Sequence, residues 1–414
     1  MAPGWRRLVE VASTPPYRWY LLGQVADTLG VWMQRLAIGW LVWELTHSAG
    51  WLGAATFIKF APTIALGLVG GWLADRFPRG LIVISVQALA VVKTGLIALL
   101  LALGALNLPV LLLLELLIGI GIALSQAASR ALVVEMVPAD RLPSAIALSS
   151  IVFNISSLIG PVIAGAIMVA IDVVACMWII TALFATNLAA YVSIARRISR
   201  PSASQGEPML RAISSALRHA IGHDGIGPLL ALHLAFTLSA RPLIELLPAF
   251  AGGVLGGGVG DVTMLTSAVG IGAAAAGLYL GTRRQGGLCL LVVYAMLGLG
   301  IAMLAFAEAP TLLVATPLAV FVGAGMTIRG AGIETLIQLA SSDQLRGRVL
   351  SFYGMLLNGG VACGSVMMGL LADAIGLRLA IVVMALGALG VWAWVHPRRA
   401  RMTAALEPHN PPQV

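Results

Sequence analysis

Twelve apolar α-helices crossing a bilayer are what this sequence predicts, from three observations: scarce charge, recurring long apolar runs, and arginine confined to alternate breaks between them. Of 414 residues, 59% are hydrophobic and 10% are charged, against roughly 25% charged in an ordinary soluble domain. Water is a poor solvent for such a surface. Apolar stretches of about twenty residues recur along the whole chain, each long enough to cross a hydrocarbon core of about 30 Å as a helix.

The apolar runs and their breaks place six spans at 17–44, 50–74, 81–104, 109–136, 143–170 and 174–195. Six more follow at 226–250, 261–280, 288–307, 311–339, 347–374 and 377–395. Between the sets, residues 196–225 form a linker: RRISRPSASQGEP reads as extended, and MLRAISSALRHAI as a short basic amphipathic helix. The expected organisation is a tail over 1–16, a six-helix bundle over 17–195, the linker over 196–225, a second bundle over 226–395, and a tail over 396–414.

Arginine then orients the chain. Arg6 and Arg7 precede the first span and Arg18 lies at its start, Arg76 and Arg79 lie between the second and third, and Arg141 lies between the fourth and fifth. Arg196, Arg197, Arg200, Arg211 and Arg218 fill the linker, Arg283 and Arg284 follow the eighth span, Arg346 and Arg348 lie at the start of the eleventh, and Arg398, Arg399 and Arg401 lie in the last tail. The opposite connections hold only Arg378. Excess arginine in short loops marks the cytoplasmic side, so both termini and the linker are expected there, in a bacterial inner membrane. The first sixteen residues lack the apolar core and cleavage site of a secretory signal.

Several other classes are disfavoured. The net charge of +8 follows topology rather than a basic stripe, so nucleic acid is not an expected partner. Cys176, Cys289 and Cys363 are far apart in apolar segments, which suggests neither disulfides nor a metal site. There is no G-x-x-x-x-G-K-[ST] phosphate loop and no evident nucleophile and base pair, so neither ATP hydrolysis nor another enzymatic activity is expected, and no cofactor is implied.

The two halves resemble each other. VPADRLPSAIALSSIVFNISSLIGPVIAG, from Val137, aligns with ASSDQLRGRVLSFYGMLLNGGVACGSVMMG, from Ala340. Asp140 pairs with Asp343 and Leu142 with Leu345; after a one-residue shift, Asn154 pairs with Asn358, Gly160 with Gly364 and Gly165 with Gly369. Arg130 and Glu135 in the fourth span are echoed by Arg329 and Glu334 in the tenth, both pairs five apart. Such an internal repeat implies two similar six-helix bundles with a pathway between them.

The turn after the second span reads GGWLADRFPRG, from Gly70 to Gly80. It resembles the signature between helices 2 and 3 of the Major Facilitator Superfamily, with Gly71, Asp75, Arg76 and Arg79 on the pattern, Pro78 in place of its usual glycine and Gly80 in place of a basic residue. GQVADTLGVWMQRLAIGWLVWELTHSA (from Gly23), LPSAIALSSIVFNISSLIGPVIAG (from Leu142) and LRGRVLSFYGMLLNGGVACGS (from Leu345) are similar to bacterial twelve-span exporters of macrolides and catecholate siderophores. The likeness thins over the seventh to ninth spans, where GTRRQGG, from Gly281, lacks the aspartate of the second-half signature. The resemblance implies alternating access, with Asp75, Arg79 and Glu135 clustering at the cytoplasmic face beside Arg346 and Arg348 and locking the halves when the pathway opens outward. Interfacial charges that merely fix topology are the plainer alternative.

A charge at the bilayer centre costs at least about 2.5 to 3.5 kcal/mol on insertion scales, so each ion within a span requires a partner or a function. Asp27, Gln34 and Arg35 can share one face of the first span. Alternating exposure of Asp27 would let it load and release a proton; a static bridge from Asp27 to Arg35 or Lys59 is the bland alternative. Arg241 and Glu245, four apart and flanked by Pro242 and Pro248, can pair in the seventh span, with Glu245 the second candidate for coupling. Glu115 and Lys93 either bind one another or face an aqueous cleft. Arg130 and Arg329 either attract anionic groups or neutralise Glu135 and Glu334. His233 reads as a packing residue, and Trp32, Trp40, Trp43 and Trp51 as mainly interfacial anchors.

The function expected from this resemblance is export of a small organic solute, drug-like or siderophore-like, by proton antiport. The chain is expected to act as a monomer, with protons, the solute and the lipid bilayer as its partners. Uptake or facilitated diffusion of a nutrient and flipping of a lysolipid are the alternatives, because fold does not settle direction or cargo.

Overall fold

The computed structural model describes residue 10 and residues 15–137, 141–195, 223–283, 286–341 and 343–407; within them, the side chains of 15, 16, 68, 75, 130, 131, 133–135, 195 and 343–348 are not described. Most of the tail and linker assignments therefore lie outside the described residues, as does the expected amphipathic helix over 209–221.

Among the described residues there are twelve long helices and no strand. The first six are α1 Pro15–Thr46, α2 Ala49–Arg76, α3 Arg79–Ala102, α4 Leu108–Met136, α5 Leu142–Ala170 and α6 Val173–Ala195. The second six are α7 Ile226–Glu245, α8 Val259–Thr282, α9 Leu288–Ala307, α10 Leu312–Ala340, α11 Asp343–Ile375 and α12 Leu377–Val395, followed by a short α13, Arg399–Leu406. By length and composition, α2 to α12 can each cross a membrane, and α1 stands apart. Its 32 residues are long enough, but they include Arg18, Gln24, Asp27, Gln34, Arg35 and Glu44. The polarity that weakens α1 as a span supplies most of the candidate site.

One boundary is corrected. The seventh span, expected to run to residue 250, ends as an α-helix at Glu245. A short turn, Leu247–Ala249, leads into a π-helical turn, Phe250–Val254. Pro248 has no N–H to continue the helical ladder, and its ring opposes the preceding turn. Gly252 and Gly253 then lie directly against the Trp43 indole, where a Cβ on either would clash. Trp43 therefore packs closely against this turn. Trp32 likewise packs edge-on against Phe153, with ring centroids 5.7 Å apart.

The repeat seen in sequence is a repeat of packing. In the first half, α3 packs on α4 and α6, and α5 on α6; in the second, α9 packs on α10 and α12, and α11 on α12. The paired glycines do the same work in both halves. A Cβ on Gly160 of α5 would lie 2.7 Å from Trp32 of α1, and one on Gly364 of α11 would overlap the backbone of Leu238 in α7. In each half the fifth helix thus approaches the first helix of its own bundle at glycine distance, as small residues permit between membrane helices.

By contacts the chain divides into one unit of residues 1–41 and 61–205 and another of 42–60 and 206–414. The C-terminal end of α1 and the N-terminal end of α2 therefore cluster with the second set of helices. Within the second unit the termini of α9 are closed by charged side chains. Glu407 accepts hydrogen bonds from the Gly287 N–H (2.8 Å) and the Cys289 N–H (2.7 Å). Arg378 donates to the Ala307 and Ala309 carbonyls at 2.8 and 2.9 Å. Acid at a helix N-terminus and base at its C-terminus also suit the helix dipole, which gives Arg378, the arginine on the otherwise arginine-free side, a local reason to be there.

Candidate functional site

A ladder of polar groups runs along α1 in the first unit. Gln24 accepts from Ser149 of α5 at 3.0 Å. Gln87 of α3 donates from Nε2 to Asp27 Oδ1 at 2.7 Å, and buried Asn187 of α6 lies beside this carboxylate. One heptad on, Gln34 Nε2 donates to Thr94 Oγ1 at 2.9 Å. Both α1 to α3 pairs are 60 residues apart, as expected of two helices running in the same direction with their polar faces in register. The Tyr20 and Tyr191 rings, 6.2 Å apart at 78°, pack beside Asp27.

The decisive feature is what Asp27 lacks. Among the described residues, no lysine or arginine lies within ion-pair distance of it. Arg35 instead lies over the Trp32 ring at 5.1 Å, so neither bridge considered from the sequence, to Arg35 or to Lys59, is present. Asp27, in a transmembrane helix, is half-buried, with the Gln87 amide on its carboxylate and the Asn187 amide beside it.

Beside this ladder, Lys93 Nζ and Glu115 Oε1 form an ion pair at 2.5 Å, with both side chains almost wholly buried between α3 and α4. The geometry resolves the choice left open by the sequence: the two bind one another. A buried pair of this kind holds helices in register, and breaking it strands a charge.

The second unit solves the burial of a charge differently. Arg329 of α10 is 1% exposed. Its guanidinium donates to His233 Nδ1 at 3.0 Å and lies 3.2 Å from the Phe236 ring centroid, both residues of α7. With Nδ1 accepting, His233 Nε2 carries the proton and donates to the Tyr353 carbonyl at 3.2 Å, while its ring stacks on Tyr353 at 3.9 Å. Glu334 is exposed and forms no ion pair with Arg329, and no described carboxylate lies within ion-pair distance of that guanidinium. Neutralisation of Arg329 by Glu334 is thereby removed. Arg241 and Glu245 are half-buried in the last turns of α7, beside Pro242 within the helix.

At the predicted gate the described geometry is partial. Arg76 is exposed and lies over the Trp72 ring at 4.7 Å. Arg79 begins α3. Gly70 packs against the backbone of Ala123 and Leu124, whereas a Cβ on Gly71 would meet none of the described atoms within 4 Å. The side chains of Asp75, Arg130, Glu135, Arg346 and Arg348 lie outside the described set.

Sequence reasoning missed Gln87, Thr94, Asn187, Phe236 and Tyr353. Polar side chains in apolar spans were a signal for the first three, but only packing shows which acid or amide each one meets.

Residues 12–413 match the family described as transmembrane secretion effector. The staphyloferrin A transporter of Staphylococcus aureus (strain NCTC 8325 / PS 47) is 28% identical over 141 residues, 34% of this chain and 36% of that protein. The match thus spans about a third of its length. Among solved structures, a bacterial homologue of the human lysosomal transporter Spinster, inward-facing and unoccupied, aligns with a TM-score of 0.71 at 15% identity over 97% of this chain and all of that one. A POT family transporter in complex with 5-aminolevulinic acid gives 0.70 at 12% identity, covering 93% and 96% of the two chains. A mutant of the nucleoside transporter NupG gives 0.68 at 12% identity, covering 92% and 99%. At such identities these likenesses concern the fold.

Proposed function

The chain belongs to the transmembrane secretion effector family, within the Major Facilitator Superfamily, and on that premise we propose that it exports a small organic solute in exchange for protons, with Asp27 as the coupling carboxylate. The observation that carries this reading is a transmembrane carboxylate bonded to the Gln87 amide beside Asn187, with no described cation at ion-pair distance. An acid bridged to arginine is neutralised permanently and has little reason to exchange its proton. Asp27 can shed its charge by binding a proton when the pathway is dry and release it when water reaches α1, while the two amides serve either form: Gln87 and Asn187 each offer a donor and an acceptor.

The export direction is supported by the family description and by the sequence likeness to siderophore and macrolide exporters. A siderophore-like solute is further supported by the name of the staphylococcal relative. In this reading Asp75, Arg79 and Glu135 with Arg346 and Arg348 gate the cytoplasmic end, the termini and linker are cytoplasmic, and Arg241, Glu245, Arg130, Arg329 and Glu334 contribute to the pathway and its field. The two six-helix bundles, repeats related by an axis along the membrane normal, rock about the central path.

The test is transport in everted membrane vesicles of a pump-deficient host, with a panel of dyes, macrolides and catecholates under an imposed pH gradient. Expected are substrate-dependent proton release by the wild type and its loss in Asp27→Asn, with the variant still inserted and monodisperse. Undiminished pH-driven transport by Asp27→Asn overturns the coupling assignment. A response confined to lysolipids overturns the exporter reading.

A further inference from the structure

The outer ends of α2 and α11 meet in a contact that the transport reading leaves unused. Helix α2 starts at Ala49 after a two-residue turn in which His47 adopts a left-handed φ of 46°. Its first N–H groups have no intrahelical acceptor. One is satisfied locally: Ser48 Oγ accepts from the Trp51 N–H at 3.3 Å. The other partner comes from 323 residues away. Asp373, near the C-terminal end of α11, accepts from the Gly50 N–H at 3.1 Å through Oδ1 and from Ser48 Oγ at 2.8 Å through Oδ2. A carboxylate on a helix N-terminus is favoured both by the free N–H groups and by the helix dipole.

Beneath this cap the two backbones touch. A Cβ on Gly53 would overlap the Ser365 carbonyl, and one on Gly369 would lie 2.6 Å from the Ala49 carbonyl. Residues 42–60 accordingly cluster with the second set of helices, whereas the rest of α2, from Ala61, clusters with the first. Helix α2 is thus held by different partners at its two ends.

The sequence around Asp373 supplies the second argument. Gly369-Leu370-Leu371-Ala372-Asp373 and Gly71-Trp72-Leu73-Ala74-Asp75 share the pattern G-x-L-A-D, the first near the C-terminal end of α11 and the second at the C-terminal end of α2. The glycine of the α11 copy is in backbone contact with α2, whereas Gly71 of the α2 copy has no described atom within 4 Å of a Cβ position.

We propose that Asp373 is an outer-face latch: its carboxylate, seated on the N-terminus of α2, holds the outer end of the pathway shut and releases when that end opens, as the reciprocal of the gate assigned to Asp75. This rests on the alternating-access reading above. The bonds suit a latch rather than a lock, because Asp373 and Gly50 lie at the exposed rim, where water can replace the carboxylate and return it.

The test reads conformation without substrate or gradient, so it is independent of transport. In full-length protein in nanodiscs, exposed Cys363 is replaced by Ser, leaving the buried Cys176 and Cys289, and Ser365→Cys is introduced as the reporter, at a buried position on the α2-facing backbone of α11. Asp373→Ala is expected to raise the rate of maleimide labelling at the reporter about tenfold, the shift produced by a tenfold change in the open population. Gly53→Val, which wedges the same contact, should act alike, Asp75→Ala should lower the rate, and Asp373→Ala with Asp75→Ala should fall between. Unchanged labelling in both Asp373→Ala and Gly53→Val overturns the latch. So does labelling of Cys176 or Cys289 in step with the reporter, because that pattern means unfolding rather than opening.

Discussion

The two halves share a skeleton and differ in how they bury charge. Both place the fifth helix against the first through a glycine, Gly160 in one and Gly364 in the other, and both pack their third helix on the fourth and sixth. Yet the first half holds a half-buried carboxylate beside amides and buries a matched Lys93–Glu115 pair, while the second buries the Arg329 cation against an imidazole and an aromatic face with no described acid at ion-pair distance. Architecture repeats because apolar packing depends on shape, which a duplicated sequence retains. Charge need not repeat, because a single residue change creates or removes it.

The largest expected effect lies in the matched pair. Glu115→Ala leaves the Lys93 ammonium without its carboxylate in a dry interface, so the folded state should lose about 3 to 5 kcal/mol; replacing the pair together by Met and Leu should recover most of that. Thermal unfolding in detergent measures both, and equal loss in the single and double variants would show that the ion pair does not act as a unit.

The glycine comparison comes next. Gly364→Ala pushes a methyl into the Leu238 backbone, whereas Gly160→Ala meets first the Trp32 side chain. Three backbone atoms within 3.0 Å must give way at Gly364 and a single Cβ at Gly160, so overpacking should cost toward about 3 kcal/mol at Gly364 and nearer about 1 at Gly160. The reverse order in the same unfolding assay would break the equivalence drawn between the fifth helices.

Arg329→Gln should be the mildest of these changes. An amide at that position can still donate to His233, and the variant removes a charge that no described acid balances. The lost ring contact is worth up to about 2 kcal/mol when desolvated, opposed by relief of the buried cation, leaving a net change within about 1 kcal/mol. A loss as large as that of Glu115→Ala would mean that the aromatic and imidazole cage compensates the cation as fully as a carboxylate does.

Much of the architecture was legible in the chain alone. Long apolar runs force helices, because backbone groups in lipid must be satisfied within their own segment. Every expected span start falls within two residues of an observed helix start except that of α11, whose polar first turn precedes its apolar run. The repeat was visible at Gly160 and Gly364 because glycine in a packed helix is retained for the approach it permits. Asp27 and Arg329 also stood out, since ionisable residues are rare in such spans.

Partners were another matter. That Asp27 meets Gln87 rather than Arg35, that Lys93 meets Glu115, that Arg329 rests on Phe236 and His233 rather than on Glu334, and that Asp373 caps a helix 323 residues away were decided by tertiary structure alone. Sequence determines which residues a helix presents and at what spacing, because those follow from local backbone geometry and the solvent it must satisfy. Which presented groups meet depends on the rotation and offset of one helix against another, and these are set by the packing of the whole bundle.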